Sequence, residues 1–256
     1  MDALIFIDTN IYLDFYQYPG RDGPDLPLLP VIDRNRELII TSSEVEMEYK
    51  KNRQRMVTNF IESIDKLDWD RLAAPAFISA SKAAVTSERY RRQLMSQMEK
   101  LKGRAHAMLS NPVKNDPVYQ VLQRLFRQRG PYNLYRTREE RHEMRDRAWR
   151  RFILGYPPRK PAGLSIGDAI NWEWLVKCAQ ESRKDVVVVT RDTDFGSRGA
   201  INDWLAQEFR ERVGRTRNVH LTGMLSQAFS MSDVEVSSDE ARKEEEMVRA
   251  IGGDAA

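Results

Sequence analysis

The chain has 256 residues and a formal net charge of +3, and 41% of its residues are hydrophobic and 31% charged. These values are typical of a globular protein, and the single cysteine, Cys178, excludes an intrachain disulfide and a cysteine-based zinc site. No apolar run approaches the roughly 18 residues of a membrane span, and the chain starts directly with a strand-like pattern, so we expect a cytoplasmic protein.

Four short apolar segments predict the strands of a parallel sheet that is covered on both faces. The segments are residues 3–7, 38–41, 186–190 and 219–222. Each is short and rich in aliphatic residues, as is typical of buried parallel strands. Helical patterns over residues 168–184 and 200–212 separate the later segments. Strands that alternate with helices in this way predict an open α/β sheet.

Three regions are predicted along the chain. The α/β core comprises residues 1–56 and 150–229, a mainly helical insertion lies at residues 57–149, and a C-terminal region covers residues 230–256. The insertion has no strand pattern, and its apolar residues recur at helical steps of three and four. A capping-box pattern at 137–140 predicts the start of one of its helices. The acidic composition of the C-terminal region predicts either a surface helix or a flexible tail.

Charge is distributed unevenly along the chain. Residues 50–160 hold 26 Lys/Arg and 11 Asp/Glu, whereas the rest of the chain holds 15 and 27. A basic region attached to an acidic core predicts attraction of a polyanion, most simply nucleic acid. The alternative is that the basic helices are ordinary solvated surfaces.

Carboxylates follow the predicted strands at the edge where the carboxyl ends of parallel strands meet. Asp8 follows the first strand directly, and Asp192 and Asp194 follow the third. Ligands of open α/β sheets bind at this edge. Asp168 opens the helix that precedes the third strand, and Ser165 is its predicted N-cap. We therefore expect these acids to lie close together.

A further acid is predicted on the helix that follows the second strand. Glu48 is placed to point back at the group, although Glu44 and Glu46 are adjacent alternatives. Four or five carboxylates at one edge repel each other unless a divalent cation binds among them. Oxygen ligands favour Mg²⁺ or Mn²⁺, and carboxylate-bound Mg²⁺ suits phosphoryl transfer by metal-activated water. Taken singly, each acid could instead be a cap, turn or surface residue.

The order and context of these residues resemble a PIN-domain ribonuclease, of the PIN-like kind that carries a long helical insertion. The motifs are FIDTN with Asp8 and Asn10, SSEVEMEYKKNR with Glu48, IGDAI with Asp168, and TRDTDF with Asp192 and Asp194. The resemblance covers roughly residues 3–56 and 152–222, and four motifs in the right order are more specific than any one of them. It implies a small parallel sheet sandwiched by helices.

The resemblance also implies the roles of the site residues. It implies that Mg²⁺ or Mn²⁺ is bound by four catalytic carboxylates, with a fifth acid as ligand or support. The four are Asp8, Glu48, Asp168 and Asp192, and the fifth is Asp194. By the same resemblance, Asn10 and Thr190 hold the carboxylates or a metal-bound water by hydrogen bonds.

Basic residues near the end of the insertion are predicted to bind nucleic acid. Arg159 and Lys160 lie in the Pro-rich loop before the Asp168 helix, and Arg150 and Arg151 end the insertion. Arginine and lysine bind phosphate groups directly, although solvated loop charges have the same composition. Tyr156, in the same loop, could stack on a base or simply pack against its neighbouring prolines.

The leading hypothesis is therefore a metal-dependent endoribonuclease that hydrolyses RNA with metal-activated water. Two alternatives remain open at this stage, a non-catalytic PIN-fold module that binds nucleic acid and a Mg²⁺-dependent DNA 5′-nuclease. The choice between RNA and DNA does not follow from the acids, because a metal site of this kind contacts only phosphate. The protein could also pair as a homodimer.

Overall fold

The computed structural model of the protein describes residues 1–18, 26–159 and 165–253. They form two units, one of Met1–Lys51 with Val121–Ala256 and the other of Asn52–Gln120. The first unit contains the sheet and the acids that follow its strands. The second unit is helical.

Five parallel strands form the main sheet of the first unit. The strands of the chain are β1 Ala3–Ile7, β2 Ile39–Ser42, β3 Asn133–Leu134, β4 Asp185–Val189, β5 Gly196–Ser197, β6 Ala200–Ile201 and β7 Val219–Thr222. The order in the main sheet is β3-β2-β1-β4-β7, and β5 and β6 form a separate antiparallel hairpin. Every residue of β1 is buried, so both faces of the sheet are covered at its centre. The predicted α/β class with a parallel sheet is confirmed.

Helices connect the strands, and α8 (Gly167–Ser182) and α10 (Leu225–Met231) pack on the sheet. They are α1 Thr9–Gln17, α2 Leu29–Arg34, α3 Ser43–Asp65, α4 Lys82–Ser110, α5 Pro112–Asn115, α6 Pro117–Arg127, α7 Glu140–Leu154, α8 Gly167–Ser182, α9 Asp203–Val213, α10 Leu225–Met231 and α11 Ser238–Gly253. Helix α8 packs on the sheet and against α7 and α9, and it buries Trp172 and Trp174 completely. Across the described residues, the helices lack a segment with the length and apolar character that a membrane crossing requires.

The second unit is shorter than the predicted insertion at residues 57–149. Strand β3 lies within that range, yet it pairs with β2 in the main sheet, and α7 packs against α8. Only two residues form β3, which is too short for an apolar pattern to reveal it. Residues 121–159, in the first unit, hold 11 Lys/Arg and 4 Asp/Glu. Much of the basic excess that was predicted for the insertion therefore belongs to the unit that carries the sheet.

Two predicted helix caps are wrong. Helix α7 starts at Glu140 with Glu139 at the N-cap and no side-chain cap bond, because Arg138 binds the Glu140 carboxylate at 2.9 Å instead. Helix α8 has Ile166 at its N-cap, and the Ser165 hydroxyl only accepts a hydrogen bond from the Gly167 N–H, at 3.2 Å.

The acidic C-terminal region contains helix α11, which is anchored to α10 by a buried carboxylate. Glu244 is 1% exposed and accepts hydrogen bonds from the backbone N–H groups of Leu225 and Ser226 at the start of α10. These N–H groups have no acceptor within their own helix, so the carboxylate satisfies their hydrogen bonds. Its negative charge is also stabilised by the positive end of the helix dipole. Met247, one turn later, is also buried.

A buried ion pair stabilises the second unit. The Arg53 guanidinium donates to the Asp116 carboxylate at 2.7 Å and to the Met108 carbonyl at 2.8 Å. Arg53 is 5% exposed and Asp116 is fully buried. Asp116 also accepts a hydrogen bond from the Tyr119 N–H at 2.9 Å. The pair therefore connects the chain before α6 to α3 and to the end of α4.

Candidate functional site

The candidate site lies at the carboxyl ends of β1 and β4, where the order of the sheet changes direction. From β1 the chain proceeds to β2 and β3 on one side, and the later strands β4 and β7 lie on the other. A change of direction of this kind opens a crevice beyond the strand ends, where open α/β sheets bind ligands. Asp8 follows β1, and Thr190 follows β4. The topology thus explains why these two residues meet.

Asp8 is buried and is held by three hydrogen bonds. Its Oδ1 accepts from the Thr9 N–H at 2.6 Å, and its Oδ2 accepts from Asn10 Nδ2 at 2.8 Å and from the Thr190 hydroxyl at 2.7 Å. Asp8 is also the N-cap of α1, which fixes its position at the end of the strand. The predicted contacts of Asn10 and Thr190 with a carboxylate are therefore present.

Thr190 connects Asp8 to the turn that carries Asp192. Its hydroxyl oxygen accepts from the Asp192 N–H and from Asn10 Nδ2, both at 3.0 Å, while its proton goes to Asp8. Asp192 is partly exposed in this turn, and Asp194 lies two residues further on, also partly exposed. Buried Phe195 then anchors the turn to the core. The backbone around Asp192 is consequently fixed relative to Asp8.

Burial and neighbouring acids raise the pKa of the Asp8 carboxyl from 3.8 to about 7. Burial is the largest cause, and the charges of Asp168 and Asp192 raise the pKa further. The hydrogen bonds from Thr190 and from the Thr9 N–H oppose this rise. Asp168 and Asp192 are therefore close enough to Asp8 to repel its charge, as their predicted positions at one edge of the sheet led us to expect.

The charge of Asp8 also affects a second buried group, the hydroxyl of Tyr12. Its ring is fully buried between Tyr49 and Phe126, and burial together with the charge of Asp8 raises the pKa of its hydroxyl. Among the described residues, its hydroxyl has no hydrogen-bond partner. The Tyr12 hydroxyl is therefore close enough to Asp8 for the charge of the carboxylate to affect it.

Glu48 is the acid of α3 that lies next to Asp8. Its Oε2 is 3.4 Å from the Thr9 hydroxyl, and the backbone N–H of Thr9 donates to Asp8. The two alternatives are occupied elsewhere, since Glu44 accepts from Arg141 at 2.8 Å and Glu46 forms an ion pair with Lys50. Helix α3 begins at Ser43, which places Glu48 more than one turn in. Of these three acids, Glu48 is thus the one positioned for the site.

Ser42 and Asn171 form a buried polar link that the sequence analysis did not identify. The Ser42 hydroxyl donates to Asn171 Oδ1 at 2.6 Å and accepts from the Val45 N–H at 3.2 Å, so it caps α3 and contacts α8 at once. Helix α3 carries Glu48, and α8 carries Asp168. The link therefore sets the spacing of two helices that bear site acids. The sequence feature that could have revealed this link is Asn171, a polar residue within the apolar pattern of α8.

The predicted nucleic-acid-binding residues have different environments. Arg151 is 5% exposed and its guanidinium pairs with Glu173 at 3.0 Å and with Glu208, which argues against the predicted contact with a phosphate. Arg150 is exposed on α7. Arg159 is exposed and stacks on the ring of Phe152, 4.6 Å from its centre, at the end of the same helix. Lys160 lies outside the described residues.

The carboxylate oxygens of the site suit a hard divalent cation that has only one or two protein side chains as direct ligands. Within residues 1–18, 26–159 and 165–253, no three His, Cys, Asp or Glu side chains converge tightly enough to hold an ion by themselves. Mg²⁺ does not need such a cage, because it usually keeps several waters and binds through one or two carboxylates. Asp8, with Asp168 and Asp192 close enough to raise its pKa, provides oxygen donors of that kind.

One comparison with known proteins gives a match. A family model described as a PIN like domain matches residues 4–219, which is most of the chain and includes Asp8, Glu48, Asp168, Asp192 and Asp194. No curated protein and no solved structure shows a significant match.

Proposed function

Because the chain belongs to the PIN-like domain family, which is of nuclease type, we propose that it is a metal-dependent endoribonuclease. The observation that carries the proposal is the buried Asp8 carboxylate, whose pKa is raised by burial and by the charges of Asp168 and Asp192 at the switch point of the sheet. A positive ion relieves exactly this kind of repulsion. The proposed reaction is hydrolysis of a phosphodiester bond.

In this proposal Asp8, Asp168 and Asp192 hold Mg²⁺ or Mn²⁺, and Glu48 contributes from α3. When bound, the ion supplies positive charge against the phosphate oxygens and lowers the pKa of water. Asn10 and Thr190 keep the Asp8 carboxylate in one orientation through bonds of 2.8 and 2.7 Å. Orientation of this kind keeps the ligands in place between catalytic cycles.

RNA is the proposed substrate because a flexible polyanion suits the basic segment of the first unit, residues 121–159. Residues 121–159 carry nearly three times as many basic as acidic residues, and Arg150 and Arg159 are exposed there. Such a surface raises the local concentration of a phosphate backbone and makes binding dependent on salt. DNA as substrate is the direct alternative, and comparing matched RNA and DNA strands decides between them.

Cleavage of a labelled single-stranded oligoribonucleotide in Mn²⁺ tests the proposal. Wild-type protein should cut the strand, EDTA should stop the reaction, and Asp8→Asn should reduce cleavage to the background of the buffer. Asp203→Asn is the matched control, because Asp203 is an exposed acid in the first turn of α9. Cleavage by Asp8→Asn at the wild-type rate would refute the proposal.

A non-catalytic module that binds nucleic acid is the second candidate. It is favoured by the observation that the described residues contain no tight cluster of three metal-ligating side chains. Such a module should bind the oligoribonucleotide equally well in EDTA and in Mn²⁺, and it should show no turnover in either. Accumulation of product in proportion to time would exclude this candidate.

A further inference from the structure

A cavity of about 550 Å³ lies in the first unit between α7, α8 and α9. Its volume is in the range of about 300–1,000 Å³ that small-ligand sites occupy. Its floor consists of buried and half-buried charged residues, and its rim carries two aromatic rings and exposed arginines. Neither the metal site nor the family match accounts for this combination.

The floor is a network of two arginines and two glutamates, whose formal charges cancel. Arg212 binds Glu173 at 2.8 Å and Glu208 at 2.7 Å, and Arg151 binds the same two carboxylates. Burial would raise the pKa of Glu173, but the hydrogen bonds and charges of Arg212 and Arg151 bring it below its ordinary value. The floor is therefore fixed in position and contributes little net charge to a ligand.

Two aromatic rings stand at the rim with their surfaces open to solvent. The ring centroids of Tyr156 and Trp204 are 5.1 Å apart and the rings are tilted by 40°. Trp204 is 50% exposed and Tyr156 is 39% exposed. Neither side chain is needed to fill the core, and paired exposed aromatic rings are the platforms on which single-stranded nucleic acids stack their bases.

The cationic side of the rim is formed by α7. Arg150 is exposed, and in the described part of the chain it forms no ion pair. Arg147 forms an exposed pair with Glu143 at 2.6 Å, a type of pair that is weak in water and easily replaced by a phosphate. The acid on this rim, Glu211, accepts a hydrogen bond from Gln207 at 2.8 Å. The exposed rim thus combines aromatic faces with an excess of guanidinium groups.

We propose that this cavity binds one base of a single-stranded nucleic acid on the exposed faces of Tyr156 and Trp204, with the adjoining phosphate on Arg147 or Arg150. The inference rests on the proposed function and adds to it a site that selects unpaired substrate. Glu173 in the cavity floor and Asp168 lie on the same helix, α8, which fixes the position of the cavity relative to the site acids.

Binding in EDTA, where no cleavage occurs, tests this site separately from catalysis. Fluorescence anisotropy of a labelled oligoribonucleotide should show about tenfold weaker binding for Trp204→Ala, since base stacking is lost, and near-wild-type binding for Trp204→Phe. Trp149→Ala is the matched control, because Trp149 is 53% exposed on α7 but does not line the cavity. It should bind as the wild type does.

A strand with abasic sites provides the complementary test. Such a strand keeps its phosphates, so it should bind wild-type protein about as weakly as the normal strand binds Trp204→Ala. Equal binding by wild type and Trp204→Ala would overturn the inference, even if Asp8→Asn still abolishes cleavage. Equal losses for Trp204→Ala and Trp149→Ala would overturn it too. Undiminished wild-type binding of the abasic strand would show that phosphate contacts alone hold the substrate.

Discussion

Replacing Asp8 with asparagine removes a buried negative charge and leaves a side chain of nearly the same shape. In the wild type this carboxylate accepts hydrogen bonds from Asn10 and Thr190, yet burial and the charges of Asp168 and Asp192 raise its pKa to about 7. Asparagine does not titrate. The two proteins should therefore differ in how their free energy of unfolding depends on pH.

The folded protein keeps a proton on Asp8 up to about pH 7, whereas the unfolded chain releases it near the ordinary pKa of 3.8. The stability that this proton provides is complete below about pH 4 and is lost as the pH rises to about 7. The difference between the two pKa values corresponds to about 4 kcal/mol, at 1.36 kcal/mol per pKa unit. About 4 kcal/mol is therefore the most that the free energy of unfolding of the wild type can fall, relative to that of Asp8→Asn, as the pH rises through this range.

Urea unfolding of both proteins in EDTA from about pH 4 to about pH 8 measures this loss. Across that interval, we expect the free energy of unfolding of the wild type to fall by up to about 4 kcal/mol more than that of the variant. Adding Mn²⁺ at the upper end should return stability to wild type alone, because an ion bound to the folded state stabilises it. Parallel pH profiles, or an equal gain from Mn²⁺ in both proteins, would refute the reasoning.

Three further substitutions test the buried polar contacts by urea unfolding. Ser42→Ala leaves Asn171 without its donor and should cost about 1–3 kcal/mol, and it should also slow RNA cleavage because it releases α3 from α8. Arg53→Met removes the cation that faces buried Asp116 and should cost about 3–5 kcal/mol. Glu244→Ala removes the carboxylate that binds the first N–H groups of α10 and should cost about 1–2 kcal/mol.

Matched exposed residues serve as controls for these three variants. Ser63→Ala, Arg55→Ala and Glu245→Ala each remove the same type of side chain from a solvent-exposed helical position. Such substitutions usually change stability by less than about 0.5 kcal/mol. If a buried variant lost no more stability than its exposed control, the contact assigned to it would not contribute as described.

Strand positions followed from the sequence wherever a strand is buried on both faces. The apolar runs at residues 3–7 and 186–190 match β1 and, to within one residue, β4, because continuous burial requires continuous apolar residues. Strand β3 has only two residues and owes its conformation to pairing with β2, so no local pattern marks it. For the same reason, the predicted insertion at residues 57–149 extends beyond the second unit, which ends at Gln120. Pairing partners far apart in the chain decide which unit a short segment joins.

Asp8, Asp168 and Asp192 were predicted to lie together because each follows a strand or opens a helix at one edge of the sheet. That rule needs only the order of the elements, and Asp8 and Asp192 satisfy it directly. The role of Arg151 was misjudged, because its partners lie 22 and 57 residues away and nothing in its neighbourhood indicates burial. The cavity at Trp204 escaped prediction likewise, since it joins α7 to α9 across the intervening helix α8.

The central claim is that one divalent cation binds among the carboxylates at the ends of β1 and β4. Anomalous diffraction from crystals grown with Mn²⁺ tests it most directly. We predict a peak within about 2–2.6 Å of an Asp8 oxygen, with Asp168 or Asp192 as a second contact or bridged by water. A peak bound at another part of the surface, or no peak near Asp8 at saturating Mn²⁺, would contradict the account.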